Sequence, residues 1–222
     1  MSNLKDYARL FIKNHAIFYH IYNLKNGFWK NGLNVSGGVN VLISGIRVRN
    51  NGINNNLYLG KNVRIYNCNF CIGGSNNTIY IEDGCSLRGT NFYMENDYNE
   101  IHIGSDSTTT GDVDLSVIEG TKLYIGKDCM ISSNIYIATG DGHSVCDMEG
   151  RRKNFSKDIV IGNHVWIGTR VIVGKGARIG DNSIVAAGSV CMTTNNEEQN
   201  VVIGGNPAKI VKRWINWDRR RI

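Results

Sequence analysis

Residues 159–191 read IVIGNHVWIGTRVIVGKGARIGDNSIVAAGSVC, and a period of six runs through them. Branched aliphatics stand at Ile161, Ile167, Val173, Ile179 and Val185, and Cys191 closes the series. A small residue follows five of these anchors: Gly162, Gly168, Gly174, Gly180 and Ala186. Four residues after each anchor comes another small or β-branched side chain: Val165, Val171, Ala177, Ser183 and Ser189. An α-helix repeats at about 3.6 residues and a strand at about 2.0, so neither carries a strict period of six. The pattern is that of a parallel β-helix. Each hexad supplies one short strand and one bend, and three hexads close a triangular coil. The anchor points into the prism, and the small residue after it lets the chain turn the corner.

Upstream, a second period overlies the first. NNLYLGKNVRI (55–65), NTIYIEDGCSL (77–87), NEIHIGSDSTT (99–109) and TKLYIGKDCMI (121–131) place Leu59, Ile81, Ile103 and Ile125 at intervals of 22. That interval is one coil with four residues bulging at a corner. Cys85 and Cys129 occupy the small inward position four after their anchors, which predicts packed thiols rather than ligands. Tyr58, Tyr80, His102 and Tyr124 share an alternating register and are expected to form an outward ladder. The solenoid is expected over 35–206. Residues 2–24 carry apolar residues at spacings of three and four, so 1–34 is expected to form a helical cap over the open end of the β-helix. Pro207 suits the first turn of a helix, so 207–222 predicts a short basic helix at the other end. A smaller loop is expected over 193–199.

The one long interruption lies between Ile137 and Ile161, where about 18 residues are extra to the coil. They are GDGHSVCDMEGRRKNFSK (140–157), polar and dense in titratable groups. A long insertion in a regular solenoid is a functional loop or disorder.

Composition narrows the classes. The chain has 222 residues, 26 glycines, one proline and a net charge of +6. Collagen and proline-rich disorder are excluded. The positive charge favours an anionic ligand, but no nucleic-acid motif accompanies it. No apolar run near the start reaches the ~20 residues a membrane span requires, and no cleavage site follows one, so a cytoplasmic protein is expected. Cys68-x-x-Cys71 is half a zinc motif without a second close pair, so no metal is expected.

The strings DGHSV, IGNHVWIG, AAGSV and GGNPAKIVKR, in this order and spacing, resemble the hexapeptide-repeat acyltransferases, relatives of galactoside and maltose acetyltransferases. GKDCM, the histidine-bearing loop, KDIVIGNHVWIG and NPAKIV together look most like bacterial capsular or surface-polysaccharide O-acetyltransferases. The resemblance covers roughly residues 123–213. It implies a left-handed parallel β-helix, acetyl-CoA as co-substrate, a homotrimer with the cofactor between subunits, and a carbohydrate acceptor. It places the catalytic base at His143. A sugar hydroxyl is a poor nucleophile that must lose its proton as it attacks a thioester, and a neutral imidazole can take that proton near neutral pH. Asp141, Asp147 and Glu149 are candidates to orient the ring.

The resemblance further implies Trp166 at the cofactor wall, Gly168 and Thr169 as backbone donors to the thioester oxygen, and Ala187 beside the pantetheine arm. Lys209 and Lys212 fall near the nucleotide phosphates. Relatives of the galactoside type follow the AGSV run with Thr-Lys and a proline turn, where this chain has Cys191-Met192-Thr193. Arg151, Arg152 and Lys153, on the same insertion as His143, are expected to contact an anionic acceptor, with Asp141 also facing the substrate. Three alternatives stay open: N-acetylation of a nucleotide-linked amino sugar, a zinc site using His102, His143 and His164, and a non-catalytic binding solenoid. Cys146 is a further candidate nucleophile.

Overall fold

The computed structural model describes residues 32–193 and 195–222. The expected N-terminal cap falls almost wholly on 1–31, outside the described residues. Among those described, short strands stack into three sheets of eight, nine and seven strands, the walls of a triangular prism, parallel throughout except for the last strand of the nine. The first sheet runs from Asn34–Gly37 through Lys122–Ile125 and Ile159–Ile161 to Asn195–Asn196. The second runs from Leu42–Ser44 through Met130–Ile131 and Trp166–Ile167 to Val201–Gly205. The third runs from Arg47–Asn50 through Ile135–Ala138 to Val190–Cys191.

The registers repeat the two periods read from the sequence. Leu57 pairs with Ile79, Ile101 with Leu123, and later Trp166 with Ile184. The six anchors from Ile161 to Cys191 are buried, none more than 4 % exposed. Inside the early coils the prism is filled by larger side chains, including Phe70 and Phe92, whose rings stack at 4.6 Å.

The corners are polar, and most of their buried groups are hydrogen-bonded, Asn50 Nδ2 being an exception. Between the third and first sheets Asn55, Asn77 and Asn99 form a buried ladder. The N–H of Asn77 donates to Asn55 Oδ1 and that of Asn99 to Asn77 Oδ1, each at 2.8 Å. Such a ladder supplies the partners that buried amides require. At the corner between the first and second sheets one residue per coil takes positive φ, among them Asp106, Asp128, His164, Asn182 and Asn200. Asn and Asp tolerate that region through local side-chain hydrogen bonds.

Cys85 and Cys129 are fully buried, as their register predicts, and burial pushes their thiols up to about 12 and about 11. Tyr58, Tyr80, His102 and Tyr124 form the expected outward ladder. Tyr58 and Tyr80 stack face to face at 4.9 Å, so their ring faces are turned to each other rather than to solvent.

Two expectations at the C-terminal end are corrected. Residues 208–213 form a strand, not a helix: Ala208–Arg213 pairs antiparallel with Val201–Gly205. Its inward Ala208 and Ile210 pack on the core and cover the last open edge, a gain that outweighs any helical preference of the segment. Nor is 193–199 simply an excess loop. Asn195–Asn196 pairs with Arg178–Ile179, and Ile203 stands one coil beyond Val185.

Candidate active site

The insertion leaves the third sheet after Ile135–Ala138 and enters the first at Ile159–Ile161, so it hangs from the corner between them. Its neck is closed by Lys157 N–H donating to Thr139 O at 2.9 Å. Asp147 folds the tip. Its Oδ1 accepts the N–H groups of Glu149 and Arg151, and its Oδ2 lies 2.8 Å from both Arg151 Nε and Lys153 Nζ. Lys153 N–H then donates to Val145 O at 2.7 Å, making a small antiparallel arm.

Asn154 is the hub. Its Nδ2 donates to His143 O and to Asp141 Oδ2, both at 2.7 Å, while its Oδ1 accepts Val145 N–H at 2.6 Å. Lys175, from the next coil, pairs with the Asp141 carboxylate and donates to Asn154 O at 3.2 Å. That contact, first, and Asn154, second, hold the Asp141 carboxyl below its ordinary range.

A second clamp comes from the coil below. Arg152 binds Glu119 through two nitrogens at 2.6 and 2.9 Å, the bidentate geometry that makes guanidinium–carboxylate pairs strong. Ser156 Oγ donates to the same carboxylate at 2.7 Å, and Arg152 lies over the Phe155 ring at 5.1 Å. The Arg152 hydrogen bond, followed by that of Ser156, lowers the Glu119 carboxyl from 4.5 to about 2. A carboxyl depressed in this way contributes its full stabilisation above the ordinary value of 4.5, and loses it as pH falls toward about 2. Pepsin should therefore cut the exposed Phe155 segment faster as pH falls through that window. The Glu119→Gln variant should be cut readily throughout, so the ratio of wild-type to variant cleavage, in which the protease's own pH dependence cancels, should rise toward one as pH falls. A ratio that is flat with pH would show that Glu119 does not hold the loop.

Held at its base, the loop exposes His143, and the imidazole has no hydrogen-bond partner among the described residues. None of the three acids expected to orient it does so here. Asp141 is taken by Lys175 and Asn154, Asp147 by Arg151 and Lys153, and Glu149 by Arg151. The same pairs change the expectation for Arg151 and Arg152. Both guanidinium groups are met by carboxylates of this chain, and Arg152 is turned to the solenoid rather than outward. Glu119, Asn154 and Lys175 were absent from the sequence reading. Nothing in the repeat marks them, because they act across gaps of 33, 11 and 34 residues.

The residues expected around the cofactor gather elsewhere on the prism. Trp166 is half-buried on the outer side of the second sheet, between Met130 and Ile184 in the ladder, with Nε1 at 3.4 Å from Ser132 Oγ. Two rungs on, Val202 pairs with Lys212, and Gly204 with Lys209. A register shift between them leaves both lysines exposed beside that outer face.

At the corner between the second and third sheets Ala187 is exposed and Thr169 Oγ1 donates to Ser133 O at 2.8 Å. The Thr169 N–H makes no hydrogen bond among the described residues. The Gly168 N–H, by contrast, donates to Val185 O at 2.8 Å. It is spent inside the solenoid, which corrects its assignment as an oxyanion donor. Gly168 is needed for another reason: a Cβ there would stand 2.8 Å from Ala187 N.

One chain does not bring the two groups together. His143 hangs from the corner between the third and first sheets, whereas Trp166 lies on the second. The other two histidines among the described residues do not join His143 either. His102 contacts Glu82 on the first-sheet face, and His164 lies against Asp128 at the corner of the first and second sheets. No group of three or more metal-ligating side chains occurs among the described residues.

Comparison with known proteins locates this arrangement. The family model "Bacterial transferase hexapeptide (six repeats)" matches residues 158–192. The solved structure of the polysialic acid O-acetyltransferase OatWY superposes with a TM-score of 0.75 at 32 % identity, covering 86 % of this chain and 89 % of that one. The chain belongs to the hexapeptide-repeat acyltransferases. Its solenoid is accordingly the left-handed β-helix of that family.

Curated relatives match over shorter stretches. The polysialic acid O-acetyltransferase of Escherichia coli O1:K1 is 33 % identical over 93 residues, 41 % of this chain and 30 % of that protein. The galactoside O-acetyltransferase of Escherichia coli K12 is 32 % identical over 107 residues, 48 % of this chain and 51 % of that protein. The matches thus span only 30 % and 51 % of these two relatives. Among the described residues no helix is long and apolar enough to cross a membrane.

Proposed function

We propose that this chain transfers an acetyl group from acetyl-CoA to a hydroxyl of a surface or capsular polysaccharide, or of its precursor. The likeness to OatWY over 89 % of that structure carries the reading. Acetyl-CoA supplies the activated acetyl group. His143 takes the proton from the attacking hydroxyl as its oxygen bonds to the acyl carbon, and returns a proton to the sulfur as the carbon–sulfur bond breaks. An imidazole with both nitrogens uncommitted suits both steps. The Thr169 N–H, which has no partner among the described residues, stabilises the oxyanion that develops between them. Trp166 lines the cofactor wall, Ala187 leaves room for the pantetheine arm, and Lys209 and Lys212 meet the phosphates.

These residues fit the co-substrate because the face they share carries two exposed lysines without ion-pair partners among the described residues, and ends in an N–H without a partner among them. The separation of His143 from that face within one chain supports a trimer, in which the loop of one subunit meets the second-sheet face of the next. We assign Arg152 to anchoring the loop through Glu119. Arg151, more than two-thirds exposed, is the residue of the pair left to meet an acidic acceptor. A cytoplasmic location, where acetyl-CoA is made available, fits this chemistry.

Incubating acetyl-CoA with a panel of purified glycans and weighing the products tests the reading. One acetyl mass gained on a polysaccharide supports it, and acetylation confined to nucleotide-linked amino sugars would replace it with the N-acyl reading. Trp166→Ala should weaken acetyl-CoA binding about tenfold, the scale of one lost aromatic contact, with little change in melting temperature. A large loss of stability with unchanged affinity would instead make Trp166 a packing residue.

A further inference from the structure

Beyond the last strand the chain does not end freely. Residues 214–222 turn back along the corner between the first and second sheets and descend it coil by coil. Ile215 N–H donates to Asn200 O at 2.9 Å. Trp217 stacks on the His164 ring at 4.2 Å and 8°, and its Nε1 donates to His164 O at 2.8 Å. Arg219 then reaches four groups lower down: Asp128 Oδ1 at 2.8 Å, Thr108 Oγ1 at 2.9 Å, Cys129 O at 2.9 Å and Asp106 O at 3.2 Å. Asn200, His164 and Asp128 are all positive-φ positions of that corner, and the tail meets the chain at each of them.

His164 is the fastening point. Its Nδ1 lies 2.6 Å from Asp128 Oδ2 and its Nε2 lies 3.0 Å from Trp217 O. A carboxylate and a carbonyl can only accept, so both contacts are complete when both ring nitrogens carry protons. The charged groups facing this ring are Asp128 from the corner and Arg219 and Asp218 from the tail. Burial works to raise the Asp128 carboxyl, but hydrogen bonds from Arg219 and His164 outweigh it and hold the carboxyl below its ordinary range.

The consequence lies one residue pair along. Trp217 is only 8 % exposed, and its ring centre stands 6.2 Å from that of Trp166 at 48°. Trp166 has one long hydrogen bond of its own, at 3.4 Å, and otherwise stands outward from a flat sheet. Trp217 closes the corner side of that indole. We propose that the C-terminal tail forms the side wall of the acetyl-CoA groove and that Trp217 is a positioning residue, holding Trp166 in the orientation that receives the cofactor. The proposal rests on the assignment of Trp166 to that groove. A ring fixed in advance loses less freedom on binding, so the contribution falls on cofactor affinity rather than on the chemical step.

Steady-state kinetics and calorimetric titration with acetyl-CoA test it on full-length Trp217→Ala, Trp217→Phe and Trp166→Ala. Trp217→Ala should raise the acetyl-CoA KM and Kd about tenfold, the upper end of one aromatic pair, and leave kcat at saturating acetyl-CoA unchanged. Trp217→Phe should restore most of the affinity, because a phenyl ring can still pack on His164 and Trp166. If Trp166→Ala weakens acetyl-CoA binding while Trp217→Ala leaves it at the wild-type value, the tail only staples the solenoid and the inference falls. If Trp166→Ala itself leaves affinity unchanged, the groove assignment falls, and this inference with it. A Trp217→Ala chain that fails to fold is replaced in the comparison by Trp217→Leu, read by the same KM-against-kcat split.

Discussion

His143→Ala is expected to lower the rate of acetyl transfer by about 10²–10⁴-fold, the usual contribution of a positioned general base. Acetyl-CoA affinity and melting temperature should stay near the wild-type values. The reasons are structural. The side chain is exposed, bonds to nothing among the described residues, and belongs to a loop whose fold is set by Asn154, Asp147 and the Arg152–Glu119 pair. Only the His143 carbonyl takes part in that network, and alanine keeps the carbonyl. Removing the imidazole therefore takes away proton transfer and little else. The effect should appear in kcat, because the interaction is made as the hydroxyl loses its proton. Turnover within twofold of wild type would remove His143 from the mechanism.

Phe92→Ala is expected to destabilise the early coils by about 3–5 kcal/mol, the range for truncating a buried aromatic. Phe92 is 1 % exposed and stacks on Phe70 at 4.6 Å and 3°. The coil cannot collapse onto the space left behind, because its height is fixed by the ladders above and below. In a solenoid each coil contacts only its neighbours, so the loss should stay largely local. Chemical denaturation followed by circular dichroism should show an early transition that wild type lacks, while acetyl-CoA binding by the later coils persists beyond it. A single unshifted transition would show that the Phe70–Phe92 stack contributes little.

Much of the fold was legible because a β-helix writes its geometry into the sequence at fixed intervals. Ile161, Ile167 and Val173 are buried for the same reason that they recur every six residues, and the offset of 22 reappears as strand register. The C-terminal segment was misread because Pro207 and a run of basic residues suit a helix start as well as a hairpin. What decides between them is an unpaired sheet edge, which the local sequence does not display. The His143 loop was legible as an interruption of the period, but its internal wiring was not. Glu119 and Arg152 lie 33 residues apart and meet only because one coil stacks on the next. The tail is a stronger case. Trp217 and His164 are 53 residues apart, and Arg219 and Asp128 are 91 apart. Neither pair falls on any repeat, so nothing in the local sequence marks Arg219 as a residue that binds the solenoid corner.

Release of the CoA thiol from acetyl-CoA, followed with and without polysaccharide, tests the central claim most directly when the product is then treated with mild alkali. Acetyl transfer to a hydroxyl predicts thiol release that depends on the glycan, and an acetyl group on the product that mild alkali removes as an ester. Thiol release indifferent to the glycan, or an acetyl group that survives alkali as an amide, would contradict the account.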